Sequence, residues 1–246
     1  MKTIIVIPAR YNSSRFKGKV LYPLLGKPIL QWVWENALKI GLTDDIIIAT
    51  EDERVLKFSN SIGAKCIITS ARCRSGTDRV WEVVKNKNFD IIINLQSDEP
   101  FIEKTIIRKA YRKIINEDFD ITTGVVPIDD ENEIKNPNSV KAAIDKNGNA
   151  IYFSRAPIPY HHELSDLSKK IPYYKHIGFY IYRRKALEMF VNTKPSILEN
   201  LERLEQLRSL ALGLKIGCVI VKESGPSIDT PDDIKKAIEY VKSKRR

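Results

Sequence analysis

The chain has 246 residues, of which 43% are hydrophobic, and its 41 Lys and Arg against 31 Asp and Glu give a formal charge of +10. This length suits one sizeable α/β core, so we expect a single domain over residues 1–246. The apolar runs are far shorter than the ~20 residues of a membrane-spanning helix. No signal-peptide layout opens the chain, so we expect a cytoplasmic protein without a membrane partner.

Short β-branched runs alternate with amphipathic segments in the first half of the chain. Apolar runs of this kind predict strands buried on both faces of a parallel sheet. In one amphipathic segment, Ile29, Val33 and Ala37 recur at helical spacing, and Gly41 stands where a helix ends. The alternation predicts an α/β fold: a doubly wound, mostly parallel sheet with helices on both faces. Strands are predicted at 3–8, 45–50, 65–69 and 90–96, and helices at 28–40, 52–61 and 77–87.

The pattern changes after about residue 120. A Lys-Asn-Gly-Asn turn between residues 140–145 and 150–155 predicts an antiparallel hairpin. We interpret residues 125–185 as an antiparallel excursion built on the main sheet. The remaining predictions are a polar loop at 161–172, strands at 176–182 and 215–221, and helices at 231–242 and at 199–212, the last with Leu201, Leu204, Leu207, Leu210 and Ala211 on its apolar face.

A basic loop, residues 9–19, follows the first predicted strand. It holds four cations, two serines and a glycine within eleven residues. Ligands of open α/β sheets bind beyond the carboxyl ends of strands, where Arg and Lys suit phosphate oxygens and glycine lets backbone amides approach them. The loop matches neither GxxxxGK[ST] nor GxGxxG. It therefore predicts a phosphate site of another kind, with a solvated basic loop as the alternative.

Adjacent carboxylates, Asp98 and Glu99, follow the strand predicted at 90–96. Carboxylate oxygens suit Mg²⁺, but neighbouring side chains of an extended chain point oppositely. We choose Asp98 as the ligand, because Glu99 precedes a proline and can brace the turn. Asp229 is a second candidate ligand, although Asp-Thr-Pro-Asp also indicates a helix start. Basic loop and acids together predict Mg²⁺-assisted phosphoryl chemistry, hence a nucleotide-dependent transferase.

Several segments resemble the 3-deoxy-manno-octulosonate (Kdo) cytidylyltransferases. The resemblance begins with Ile7-Pro8-Ala9-Arg10-Tyr11-Asn12-Ser13-Ser14-Arg15-Phe16-Lys17-Gly18-Lys19 and Gln96-Ser97-Asp98-Glu99-Pro100. It continues in the family's order through residues 75–79, 152–159, 175–180, 204–208 and 229–231.

This resemblance implies a nucleotidyltransferase that joins CMP from CTP to Kdo for lipopolysaccharide synthesis. The anomeric hydroxyl would attack the α-phosphate and release pyrophosphate. The resemblance also implies Mg²⁺ as cofactor and a homodimer, with the excursion at 125–185 serving sugar binding and dimerisation.

Site roles follow from the resemblance by position. The CTP phosphates would be held by Arg10, Ser13, Arg15 and Lys19. The cytosine would lie near Ser75 and Arg79, and the nucleoside or sugar near Gln96. The implied catalytic residues are Lys19, Arg10 and Asp98, and the implied metal ligands are Asp98 and Asp229. The implied sugar contacts are Arg155, His176, Tyr180, Glu205 and Gln206.

Some features leave alternatives open. Lys17 and Ser97 replace the proline and glycine that the family usually has, which affects the expected geometry around Asp98. His176 in an apolar strand is also typical of a core histidine, and Arg155 of a structural residue. The substrate alternatives are an 8-amino-octulosonate or a sialic-type acid. A glycosyltransferase and a basic RNA-binding module are the rival classes, although we expect no nucleic-acid partner because the positive charge is spread along the chain.

Overall fold

The computed structural model describes residues 1–13, 15–160 and 173–244, so the loop predicted at 161–172 lies outside the described residues. Nine strands form one sheet, and the short β2 and β3 form a separate ribbon. The strands are β1 (Thr3–Pro8), β2 (Pro23–Leu24), β3 (Lys27–Pro28), β4 (Ile46–Thr50), β5 (Cys66–Ile68), β6 (Ile91–Leu95), β7 (Ile121–Ile128), β8 (Lys141–Ile144), β9 (Ala150–Ser154), β10 (Tyr173–Arg183) and β11 (Ile216–Ile220).

The main sheet has the order β11-β7-β10-β6-β1-β4-β5. Strand β1 pairs in parallel with β4 and β6, β4 with β5, and β7 with β11. Strand β10 runs antiparallel to both β6 and β7 and also carries the β8–β9 hairpin. The predicted fold class, a mostly parallel α/β sheet with an antiparallel excursion, is therefore confirmed.

Helices cover both faces of the sheet, and β1 shows why. Ile5 and Ile7 pack into one hydrophobic cluster with the helices Ile29–Ile40 and Lys104–Asn116, whereas Ile4 and Val6 pack into another with the helices Gly76–Val84 and Arg184–Val191. The two clusters are separate because successive side chains of a strand point to opposite faces. The helices are α1 (Ile29–Ile40), α2 (Glu53–Ser61), α3 (Gly76–Val84), α4 (Lys104–Asn116), α5 (Glu131–Lys135), α6 (Arg184–Val191), α7 (Ile197–Glu202), α8 (Gln206–Ala211) and α9 (Asp233–Lys244).

The single helix predicted at 199–212 is wrong. The structure has α7 and α8 instead, separated at Arg203, whose φ of 54° cannot continue a right-handed helix. Ser196 and Glu199 form a capping box, so α7 also begins earlier than predicted. The break turns Leu201 outward while Leu204 and Leu207 remain buried, so the expected continuous apolar face does not exist.

Within the described ranges, no helix has the length and apolar character needed to cross a membrane.

Candidate active site

A charged cluster lies where the loops after β1 and β6 meet the loop before α9. Lys19 Nζ lies 3.0 Å from Asp98 Oδ2 and 3.4 Å from Asp229 Oδ1, and Arg15 donates to the same Asp229 oxygen at 2.8 Å. The Lys19 side chain is only 8% exposed, whereas the two carboxylates are about 30% exposed. In the sequence Asp98 is 79 positions from Lys19 and Asp229 is 210 positions from it. Both carboxylates nevertheless contact the same ammonium group at the carboxyl edge of the sheet.

Local contacts fix Lys19 at this edge. Gly18 has a φ of 72°, and a Cβ there would lie 3.1 Å from the Tyr11 ring, so glycine suits both the backbone conformation and the close packing. The Gly18 amide donates to the Tyr11 carbonyl at 2.8 Å. Arg54, which is hydrogen-bonded to Asp52, lies over the outer face of the Tyr11 ring at 3.4 Å. The basic loop is therefore attached to α2 before it reaches Lys19.

The loop before α9 fixes Asp229. The Ile228 amide donates to the Asp98 carbonyl at 2.9 Å, and the Ile228 side chain is fully buried in a third cluster beneath α9. Asp233 in turn accepts hydrogen bonds from the amides of Asp229 and Thr230. The two acids are therefore held next to each other by backbone contacts, although they are far apart in sequence.

These acids suit a hard divalent cation. One oxygen of each carboxylate lies within 3.4 Å of Lys19 Nζ, so the two acids already share one positively charged group. In the described ranges there is no group of three His, Cys, Asp or Glu side chains arranged to hold a metal. Mg²⁺ commonly uses one or two carboxylates and completes its shell with substrate phosphates and water. Asp98 and Asp229 meet that requirement.

The adjacent acids Asp98 and Glu99 have different partners: Asp98 contacts Lys19, whereas the Glu99 side chain turns away from Lys19 into the interior. Glu99 Oε1 accepts a hydrogen bond from the Gly178 amide at 3.0 Å, and a Cβ on Gly178 would lie 2.6 Å from that oxygen. Burial, and then the negative charge of Asp98, raise the pKa of Glu99 to about 8. Glu99 therefore braces the end of β6 against β10.

A cavity of about 420 Å³ adjoins the charged cluster. Asp98 and Asp229 form one side, Gln96 lies at the end of β6, and Lys175 and His176 line the wall on β10. An anion in this cavity would lie near Lys19 and Arg15, the cations that contact Asp98 and Asp229, and would also meet Lys175. The sequence pattern did not single out Lys175; its place directly before His176 was the available signal.

Two predicted sugar contacts, His176 and Tyr180, lie on β10, and His176 lines the cavity. His176 Nε2 is 2.9 Å from Thr123 Oγ1, and its ring stacks on Tyr180 at 5.3 Å. Because the Thr123 hydroxyl donates to the Phe179 carbonyl at 2.6 Å, it accepts from His176 Nε2. Burial lowers the pKa of His176 to about 3, so the imidazole is neutral at physiological pH.

Glu205 and Ser75 approach this group from α8 and α3. Burial raises the pKa of Glu205, an effect that hydrogen bonds from Thr77 and Ser75 oppose. Burial raises the pKa of Tyr180, and the nearby Glu205 charge adds to it. One predicted cytosine residue and three predicted sugar residues therefore form one neighbourhood. Gln206, the first residue of α8, is buried.

In two other predicted contacts, Arg79 and Arg155, the guanidinium group contacts other residues of the protein. Arg79 is 1% exposed, and its guanidinium contacts Glu51 at 2.8 Å and Thr69. Arg155 donates to the carbonyls of Glu202 and Pro137, both at 2.8 Å. Arg79 is therefore not among the residues that line the cavity, and the Arg155 guanidinium contacts backbone carbonyls. Arg10 is exposed and Ser13 half-buried in the basic loop.

A model of the family described as "Cytidylyltransferase" matches residues 4–216. The chain belongs to the cytidylyltransferase family. As a cytidylyltransferase it is a nucleotidyltransferase enzyme, which excludes the glycosyltransferase and the RNA-binding module as its primary activity.

Relatives of this cytidylyltransferase match along nearly its whole length. A 3-deoxy-manno-octulosonate cytidylyltransferase of Elusimicrobium minutum (strain Pei191) is 46% identical and covers 98% of each chain. An 8-amino-3,8-dideoxy-manno-octulosonate cytidylyltransferase of Shewanella halifaxensis (strain HAW-EB4) is 42% identical and covers 96% of each. A solved CMP:2-keto-3-deoxy-manno-octonic acid synthetase complexed with CTP superimposes with a TM-score of 0.92 at 37% identity, over 99% of this chain and all of that one.

Proposed function

We propose that this cytidylyltransferase couples CTP to Kdo, giving CMP-Kdo and pyrophosphate for lipopolysaccharide synthesis in the cytoplasm. The observation that carries the proposal is the placement of the Lys19–Asp98–Asp229 cluster beside a cavity that ends at His176. Cations for a triphosphate and a cavity of about 420 Å³ for a second substrate thus share one edge of the sheet. Most of the similar chains named above act on Kdo by their descriptions.

The chemistry required of the protein is mainly positioning and charge stabilisation. The anomeric hydroxyl oxygen of the sugar forms a bond to the α-phosphorus and gives up its proton to water. The bond from that phosphorus to the bridging oxygen breaks, and pyrophosphate leaves with the electron pair. Lys19 and Arg15 carry the positive charge nearest the two acids, and we assign them to the triphosphate. Mg²⁺ held by Asp98 and Asp229 would offset the negative charge of the phosphates.

Uncharged and cationic groups share the sugar side. Neutral His176 and the Tyr180 phenol supply hydrogen-bonding groups for hydroxyls, and Glu205 adds an acceptor when ionised. Lys175 offers a cation on the cavity wall, where it contacts Glu133 at 2.6 Å. Arg155 remains our candidate for the sugar carboxylate, which requires that it exchange a backbone carbonyl for the ligand.

We test the substrate by measuring pyrophosphate release with CTP, Mg²⁺ and one sugar acid at a time. Kdo, 8-amino-3,8-dideoxy-Kdo and a sialic acid form the panel, and each is repeated with GTP in place of CTP. We expect the highest kcat/KM with Kdo and CTP. A higher value for the amino sugar would transfer the assignment to that substrate, which the 42% identical relative from Shewanella favours. Activity without any sugar acid would contradict both.

We further propose a homodimer formed partly by the excursion. Ile151 on β9 is 62% exposed and Leu201 on α7 is 75% exposed, and α7 contacts β9 through Glu202 and Ser154 at 2.6 Å. Apolar side chains exposed on adjoining elements are typical of an interface. Light scattering after size exclusion should give twice the mass of one chain, and Leu201→Glu should reduce it. A monomeric wild-type protein would refute the proposal.

A further inference from the structure

Lys141, the first residue of β8, is completely buried. Its Nζ donates to the carbonyl oxygens of Asn136 at 2.8 Å and Ser139 at 2.5 Å. Both of these hydrogen-bond acceptors are uncharged backbone carbonyls. Burial lowers the pKa of Lys141. Burying an ammonium group whose hydrogen-bond acceptors are uncharged costs folding free energy. The two carbonyls that compensate it belong to one short segment, residues 136–140.

That segment, residues 136–140, is a tight turn with two different sides. Inside it, the Ser139 amide donates to the Asn136 carbonyl at 3.1 Å, and the Pro137 carbonyl accepts from Arg155 at 2.8 Å. Three of its carbonyls therefore face two cations. On its outer side, Asn138 and Val140 line the cavity together with His176 and Asp229.

The 136–140 segment is also continuous with the wall on β10. The Val140 carbonyl accepts from the His176 amide at 2.8 Å, so a displacement of the segment would move the backbone that carries His176. The adjoining residue Lys175 pairs with Glu133 of α5, just before the segment. Lys141 itself pairs with Lys175 in the ladder between β8 and β10.

We infer that Lys141 is a positioning residue for the acid-sugar cavity: its ammonium holds the carbonyls of residues 136–140 so that Asn138 faces the bound sugar. The inference rests on the proposed function, because it takes the cavity beside Asp98 as the sugar site. Lys141 itself has no exposed surface and touches no substrate. Its effect passes through Asn138.

The test uses Lys141→Met, which keeps the length of the side chain and removes its donors. Lys135→Met is the matched control, because Lys135 lies in the same region but is exposed and paired with Glu131. Amide exchange at Asn136, Asn138, Ser139 and Val140 should be at least ~10-fold faster in Lys141→Met and unchanged in the control. The KM for Kdo should rise ~10-fold, with the KM for CTP and kcat within about 2-fold. If Lys141→Met does not fold, Lys141→Gln, which keeps an N–H donor on a shorter chain, is measured in the same way and should show smaller changes of the same kind.

A double-mutant cycle tests the route of the effect. Asn138→Ala should raise the KM for Kdo, and adding Lys141→Met should cost less than the product of the two single effects. Fully multiplicative effects, or equal damage to the KM values of Kdo and CTP, would overturn the inference. Unchanged exchange in residues 136–140 would overturn it as well, whichever sugar the enzyme uses. A wild-type enzyme inactive with Kdo would instead refute the proposed function, and the exchange result would still decide what Lys141 holds.

Discussion

The buried neutral His176 makes a sharp prediction about stability and pH. Its pKa is about 3 in the folded protein, against an ordinary value of 6.5. The unfolded chain therefore takes up the proton first as the pH falls. The stability that depends on neutral His176 is complete above pH 6.5 and is lost progressively toward pH 3. Neighbouring groups do not reverse this sign, because desolvation is the cause of the shift.

The expected magnitude follows from the two pKa values. Each pH unit between them is worth about 1.4 kcal/mol of unfolding free energy, so lowering the pH from 7 to 5 should cost ~2 kcal/mol through this residue. Other groups titrate over the same range, so the quantity to measure is a difference between two proteins. His176→Gln removes the titration, while the side-chain amide can still donate to Thr123 Oγ1 in place of Nε2.

Urea unfolding followed by tryptophan fluorescence at pH 7, 6 and 5 gives the free energies. At pH 7 the wild type should be the more stable protein, and its advantage over His176→Gln should shrink by ~2 kcal/mol at pH 5. The m-values of the two proteins must agree for this comparison. An advantage that stays constant within ~0.5 kcal/mol would show that His176 titrates normally, and the description of the β10 wall as neutral would be refuted.

Three further predictions concern the site. Asp98→Asn should lower kcat ~100-fold or more with little change in the unfolding midpoint, because the amide still offers Lys19 an acceptor but is a poor Mg²⁺ ligand; near-normal turnover in saturating Mg²⁺ would reject Asp98 as a ligand. Arg155→Lys should raise the KM for Kdo with the KM for CTP little changed, because lysine keeps the charge but loses the planar guanidinium that can donate two hydrogen bonds to one carboxylate. An equal rise in the KM values for Kdo and CTP would make Arg155 purely structural. Gly178→Ala should destabilise the fold by ~1–3 kcal/mol, because the new Cβ would lie 2.6 Å from Glu99 Oε1; an unchanged urea midpoint would contradict the brace.

Much of the fold could be predicted because its signals are local. The strand predicted at 3–8 is β1 with the same bounds, since its side chains are buried on both faces and read as one apolar run. Helix α1 ends at Gly41 with a φ of 64°, as its glycine indicated. The predicted Asn-Gly turn connects β8 and β9, which pair as an antiparallel hairpin. Each of these features depends on residues that lie close together in the chain.

The sequence by itself also determined which chemistry is present: a basic loop after one buried strand and acids after another. It did not determine which of those groups meet. Tertiary structure brought Asp229 to Lys19 and enclosed the Arg79 guanidinium against Glu51. Such outcomes depend on contacts between residues far apart in the chain, and a pattern of neighbours carries no record of them. The same reason explains the break at Arg203, where packing overrides a helical periodicity that continues through it.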